Sequence, residues 1–241
     1  MNKFKGTGVA LVTPFRKEGE VDFNALQKLV EFQIENGVNY LVVQGTTGES
    51  VTLTDEEKVS VLEYIIDVTK NRVPIVLGVG GNNTSNVVQQ IKKFNSYRID
   101  AYLSVSPYYN KPSQAGIVAH YGQIAQATDK PIILYNVPGR TGSNMTAETT
   151  LTLANTYANI IAVKEASGNL EQIMEIIKNK PSDFLVISGD DALTLPHMAC
   201  GGDGVISVVA NAFPKRFSSM VDYALKGDLE KAKPLHYELF P

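Results

Sequence analysis

Short unbroken apolar runs alternate along the whole chain with longer stretches in which apolar residues recur every three or four positions. The short runs read as strands buried on both faces, and the longer ones as amphipathic helices laid over them. Strands are predicted over residues 8–13 (GVALVT), 40–44 (YLVVQ), 73–79 (VPIVLGV) and 101–105. Four more are predicted over 131–136 (PIILYN), 160–163 leading into Lys164, 184–188 and 204–207 (GVIS). Helices are predicted over 23–36, from 54 to near 71, and over 84–97, 113–128, 146–157 and 169–179. A short helix follows Asp191 and runs through Met198. Another covers 214–225, and a last one runs from 228 to the end. Local signals support these limits. Leu26, Leu29, Val30 and Ile34 share one helical face, and Gly37 stops that helix. Thr54 and Glu57 have the spacing of a capping box. Pro74 stands near the start of its strand, where a missing donor is tolerated.

Strand and helix therefore alternate through eight units without a linker or a shift in composition. Alternation of this kind implies a parallel sheet with right-handed crossovers. Eight units at this length predict an α/β chain folded as a (β/α)₈ TIM barrel. The alternative is an open doubly wound sheet, which usually carries a Gly-rich nucleotide fingerprint after an early strand. Gly78-Val79-Gly80-Gly81 is the nearest candidate; it lacks that spacing and reads as a tight turn.

Composition narrows the class. At 241 residues, 44% hydrophobic and 20% charged, the chain has the make-up of a soluble globular protein. A net charge of −3 makes no electrostatic case for a nucleic-acid surface. A single cysteine, Cys200, precludes an internal disulfide and suits a reducing compartment. His120, His197 and His236 form no metal-ligand spacing with it, so no metal is expected. The N-terminus carries no signal-like apolar segment, and no run approaches a membrane span. The expectation is a cytoplasmic protein.

Chemistry gathers where the strands end. Lys164 closes a buried strand, where burial disfavours its charge and leaves a nucleophilic amine. It could also reach solvent, or pair with Glu165. Gly45-Thr46-Thr47-Gly48 follows the second strand and offers hydroxyls and backbone N–H groups to a carboxylate; it could equally be an ordinary turn and cap. Tyr108 and Tyr109 follow the fourth strand, and Tyr135 lies in the fifth, where packing alone could account for it. Arg140 follows the fifth strand, placed either to grip a carboxylate or simply to be solvated. On one rim these groups amount to an amine, phenols, hydroxyls and a cation, which suits a carbonyl substrate bearing carboxylates. No serine–histidine set, paired acid/base carboxylates or P-loop competes with that reading.

The segments Gly45-Thr-Thr-Gly-Glu-Ser50, Ser106-Pro-Tyr-Tyr-Asn-Lys-Pro112, Tyr135-Asn-Val-Pro-Gly-Arg-Thr-Gly142 and Val163-Lys-Glu-Ala-Ser167 carry a resemblance from Gly8 to the end of the chain. In that order, and after those strands, they resemble the dihydrodipicolinate synthase family. This family belongs to the pyruvate-dependent Schiff-base aldolase superfamily, which also holds N-acetylneuraminate lyase. The resemblance implies that Lys164 forms an imine with pyruvate and that its enamine adds to L-aspartate 4-semialdehyde. No metal or organic cofactor is implied, only the covalent pyruvate imine. Tyr135 would move protons at the imine. Thr46 would link Tyr135 to Tyr109, the latter entering the site of a neighbouring subunit in a homodimer or homotetramer. Thr47 would bind the pyruvate carboxylate and Arg140 that of the semialdehyde, with Gly189 and Ile206 lining the pocket.

Within the superfamily, Arg140 and the paired Tyr108 and Tyr109 favour the synthase over N-acetylneuraminate lyase or a keto-deoxy sugar acid aldolase. A non-catalytic sensor that keeps the pocket is the remaining alternative. Ser50, Asn82 and Tyr108 match the family's allosteric lysine site. Asp55, Lys58 and Asn86 depart from it, Lys58 by repelling a lysine ligand, so weak or absent lysine feedback is expected. The resemblance also implies a catalytic barrel over 1–227. Residues 228–241 would be the start of a truncated C-terminal helical region, with most of that extension absent.

Overall fold

The structure is a computed structural model that describes residues 2–240. Every predicted apolar run becomes a strand of one closed parallel barrel: β1 (Gly6–Ala10), β2 (Tyr40–Val43), β3 (Ile75–Gly78), β4 (Ala101–Val105), β5 (Ile132–Asn136), β6 (Ile160–Glu165), β7 (Leu185–Ser188) and β8 (Gly204–Ser207). Each strand pairs with the next in sequence, and β8 closes on β1. The strands read as unbroken apolar runs because both faces are covered. Ala10, Val42, Val76, Leu103 and Ile133 fill the barrel interior, while Val9, Leu41, Val43, Leu77 and Leu134 meet the helices. The two sets alternate along each strand, as a pleated backbone requires.

The covering helices are α1 (Phe23–Glu35), α2 (Asp55–Thr69), α3 (Thr84–Phe94), α4 (Gln114–Gln126), α5 (Pro138–Thr141), α6 (Ala147–Thr156), α7 (Leu170–Asn179), α8 (Thr194–Ala199), α9 (Pro214–Leu225) and α10 (Leu229–Leu239). The capping box at α2 forms as predicted: Thr54 Oγ1 accepts from the Glu57 amide, and the Glu57 carboxylate accepts from the Thr54 amide. At the N-terminal end of the barrel, Phe4 meets the Tyr40 ring edge-on, with centroids 5.6 Å apart. Gly8 leaves room for that ring; a Cβ there would lie 2.2 Å from it.

Several limits differ from the sequence reading. β1 begins at Gly6, two residues early, because Gly6 and Thr7 pair with β8 despite their low hydrophobicity. It stops at Ala10, and Thr13 instead donates its hydroxyl to Gly48 O across the mouth of the barrel. α3 ends at Phe94 rather than Tyr97, where the Asn95 side chain turns to Tyr102 and Thr128. The segment after β5, expected as loop, holds the single-turn α5 with Pro138 at its first position, which suits a helix start. The final helix ends at Leu239, and the predicted end at Pro241 lies outside the described residues. Among the described residues no helix is long and apolar enough to cross a membrane.

Candidate active site

β6 extends through Lys164 to Glu165, so the alternation of the pleat decides where these side chains go. Ala162 lies on the inner face with Lys164, and Val163 on the outer face with Glu165. The lysine therefore neither reaches solvent nor pairs with its neighbour. It is 5% exposed, with its Nζ 4.3 Å from the centre of the Tyr135 ring on the adjacent strand. Tyr135 and Lys164 are direct partners across β5 and β6. Gly189, at the end of β7, leaves room for the lysine stem. A Cβ there would fall 2.9 Å from Lys164 Cε and 2.7 Å from Ala166 Cβ.

Burial lowers the Lys164 pKa from 10.5 to about 8; the Asp191 carboxylate opposes that shift and the Arg140 guanidinium adds to it. An appreciable neutral fraction is thereby available near neutral pH. Burial pushes the Tyr135 phenol upward, with Arg140 pulling the other way, so the ring keeps its proton at neutral pH and can donate it. An amine able to attack and a phenol able to protonate thus share one buried spot.

A cavity of about 630 Å³ opens over this pair at the C-terminal ends of the strands. Thr46, Thr47, Arg140 and Gly189 line it. The two threonines sit on a 3-10 turn (Thr46–Gly48) that follows Gln44, a buried residue held at φ 58°. That left-handed residue turns the chain sharply at the end of β2 and swings the hydroxyls over the barrel. Arg140 reaches the rim from α5. Several groups of unlike chemistry therefore converge as the sequence predicts.

Two predicted residues stand elsewhere. Tyr109 is 85% exposed at φ 71° and does not line this cavity, its amide bonded to Thr141 O. Ile206 is buried within the barrel interior, opposite Gly8 on β1, a layer beneath the cavity lining. The residues matched to an allosteric lysine site divide. Ser50, Tyr108 and the departing Lys58 line the same continuous cavity, whereas Asn82 bonds to Tyr108 O at 3.2 Å. Lys58 is paired with Asp55 at 3.3 Å.

Two aspartates at or near the cavity escaped the sequence reading. Asp190 lines the cavity. Asp191 accepts the amides of Val208 and Val209 at 3.0 and 2.9 Å through Oδ2, while its Oδ1 is buried with no hydrogen-bond partner among the described residues. Gly-Asp-Asp after a strand looks like an ordinary helix cap, so only its place at a barrel rim could have flagged it. Among the described residues no group of three or more histidine, cysteine, aspartate or glutamate side chains could hold a metal ion.

Comparison with known proteins gives a consistent result. The model of the dihydrodipicolinate synthetase family matches residues 3–241. The 4-hydroxy-tetrahydrodipicolinate synthase of Parabacteroides distasonis is 59% identical over 239 residues, covering 98% of this chain and 80% of the relative. A crystal structure of dihydrodipicolinate synthase superposes with a TM-score of 0.94 at 49% identity, covering 99% of this chain and 82% of that one. The dihydrodipicolinate synthase of Aquifex aeolicus gives a TM-score of 0.94 at 44% identity, over 98% and 80% of the two chains.

Proposed function

The chain belongs to the dihydrodipicolinate synthetase family, and we propose on that premise that it acts as a 4-hydroxy-tetrahydrodipicolinate synthase. The observation that carries the reading is the desolvated Lys164 amine lying over the Tyr135 ring beneath the cavity. The neutral amine attacks the ketone carbon of pyruvate, and loss of water leaves an imine. Removal of a methyl proton gives an enamine, which adds through carbon to the aldehyde of L-aspartate 4-semialdehyde. The amino group of the semialdehyde then attacks the imine carbon and expels Lys164 as the free amine, closing the ring of 4-hydroxy-tetrahydrodipicolinate. By classification the activity is that of a carbon–oxygen lyase, and it needs no cofactor beyond the covalent pyruvate imine.

The roles follow from what each group offers. Tyr135 donates and recovers the protons of imine formation. Thr47 and its neighbouring amides bind the pyruvate carboxylate. Arg140 binds the carboxylate of the semialdehyde, where a fork of donors suits a planar anion. Thr46 passes protons between Tyr135 and Tyr109. The exposed Tyr109 serves the cavity of a second copy, in a homodimer or homotetramer. Gly189 completes the binding surface. The barrel and its covering helices through α9 carry the catalysis, and α10 follows them. The enzyme works in the cytoplasm. Lysine feedback is weak, since Lys58 presents a cation to the cavity and Asn86 offers no carboxylate. Inhibition by sub-millimolar lysine would contradict that last point.

The substrate assignment is tested by turnover. Pyruvate with L-aspartate 4-semialdehyde is expected to give kcat of about 1–10³ s⁻¹. Arg140→Ala should weaken semialdehyde use far more than pyruvate imine formation, which it affects only through its minor share in the Lys164 shift. Efficient cleavage of N-acetylneuraminate or a keto-deoxy sugar acid, without semialdehyde turnover, would overturn the assignment. Absence of any turnover would favour a binding protein.

A further inference from the structure

Tyr135 and Lys164 are each followed by a polar residue that faces the other way. Asn136 and Glu165 are buried between the barrel and its helices, and they are cross-strand partners just as Tyr135 and Lys164 are. This pairing depends on an irregularity. Ile132 pairs with Ile160, but Ile133 pairs with Ala162, so β6 carries one extra residue at Ile161. Continued from Ile132 and Ile160 without that bulge, the ladder would set Lys164 opposite Asn136 and Tyr135 opposite Val163. A slip of one residue also exchanges the two faces of a strand. Something must hold the shifted register at the end that carries the chemistry.

Glu165 sits at that point. Its carboxylate accepts from Asn136 Nδ2 at 3.1 and 3.2 Å, from the Ser167 amide at 2.9 Å and from Gln172 Nε2 at 3.0 Å. Asn136 is fixed in turn, since its Oδ1 accepts the Met145 amide at 3.0 Å and its Nδ2 also reaches Asn144 Oδ1 at 2.8 Å. Asn144 Nδ2 donates to Gln172 Oε1 at 2.8 Å and closes the ring of contacts. Among the described residues Glu165 has no ion-pair partner. Burying a carboxylate without a counter-charge is costly, and an apolar side chain would fill the same space more cheaply. Fixing a register is the best-attested use of such a buried polar group.

We propose that Glu165 is a positioning residue. With Asn136 and Gln172 it clamps β5 to β6 beyond the bulge and so holds the Lys164 amine against Tyr135. The proposal rests on the imine chemistry inferred above and deepens it. The clamp acts through the strand, because Glu165 itself faces away from the cavity.

The test compares the wild-type chain with Glu165→Gln, and with the exchange variant Glu165→Gln/Gln172→Glu. Borohydride trapping with pyruvate gives the rate of imine formation, steady-state kinetics give kcat and KM, and thermal unfolding gives the folded fraction. Glu165→Gln is expected to lower kcat and the trapping rate by about 10²-fold, the cost of a misplaced reacting group. KM for pyruvate should change little, because Thr47 is untouched. The exchange variant restores one carboxylate facing one amide and should regain most of the rate. Should Glu165→Gln fail to fold, Gln172→Met removes one donor from the helix side and should lower kcat in the same sense. A rate per folded molecule that stays at the wild-type value would overturn the proposal, even if the melting temperature falls. Absence of an adduct in the wild-type chain would instead overturn the imine chemistry, and the clamp with it.

Discussion

Lys164 is costly to keep charged, because burial works against its ammonium. Holding an ammonium whose pKa falls from 10.5 to about 8 disfavours the folded state below pH 8 by about 3 kcal/mol relative to the unfolded chain. The sign is that of a depressed lysine. Between about pH 8 and 10.5 the folded state has lost the proton while the unfolded state keeps it, so the penalty is relieved as pH rises through that window. Lys164→Met should therefore unfold at a higher temperature than the wild type at pH 7, and the difference should narrow toward pH 10. An equal or lower melting temperature at pH 7 would contradict the desolvated amine. A lysine ending a run of buried aliphatics was legible in the sequence, because that juxtaposition is rarely neutral. The direction of Glu165 was not. Adjacent in sequence, it looks like the partner of Lys164, yet the pleat turns successive side chains to opposite faces and makes that pairing impossible.

At the scale of elements, the site is built from strand ends and the short turns that follow them. The end of β7 is a tight joint of this kind, since Gly189 packs against the Lys164 stem. Gly189 has no left-handed backbone that alanine would resist, so Gly189→Ala tests side-chain space alone. The added Cβ should push the Lys164 stem aside and slow imine formation by about 10²-fold while the fold survives, as near-UV circular dichroism and trapping rates would report. Undiminished trapping would mean that the lysine has another route to the cavity. Strand and helix order were readable from periodicity because each element is long enough to repeat its pattern. The bulge at Ile161 was hidden, since one extra isoleucine inside Ile160-Ile161-Ala162-Val163 leaves an equally apolar run. α5 was hidden too, because Pro138-Gly139 signals a turn, and one helical turn has no periodicity to read.

Across the whole molecule, stability and chemistry occupy opposite ends of the barrel. Away from the cavity, Asp203 leads into β8, meets Lys5 at 2.8 Å and Lys180 at 3.6 Å, and accepts the Val186 amide at 3.0 Å. Asp203→Ala leaves that buried amide without a partner and should destabilise the protein by about 1–3 kcal/mol in denaturant unfolding. Values of KM for both substrates should not move, and a shift in either would mean that the two ends are coupled. Closure into a barrel was legible from eight alternating units. The division of labour was not, because neither Asp203, between Gly202 and Gly204, nor Asp191, after Gly189-Asp190, reveals its end of the barrel until the strands set them at opposite rims.

The central claim is that Lys164 carries the substrate. Its most direct measurement is incubation of the chain with pyruvate, reduction by borohydride and mapping of the modified peptide by mass spectrometry. A single stable adduct on Lys164, lost in Lys164→Ala, is the predicted result. A folded protein that turns over both substrates without that adduct, or that carries it on another lysine, would contradict the account.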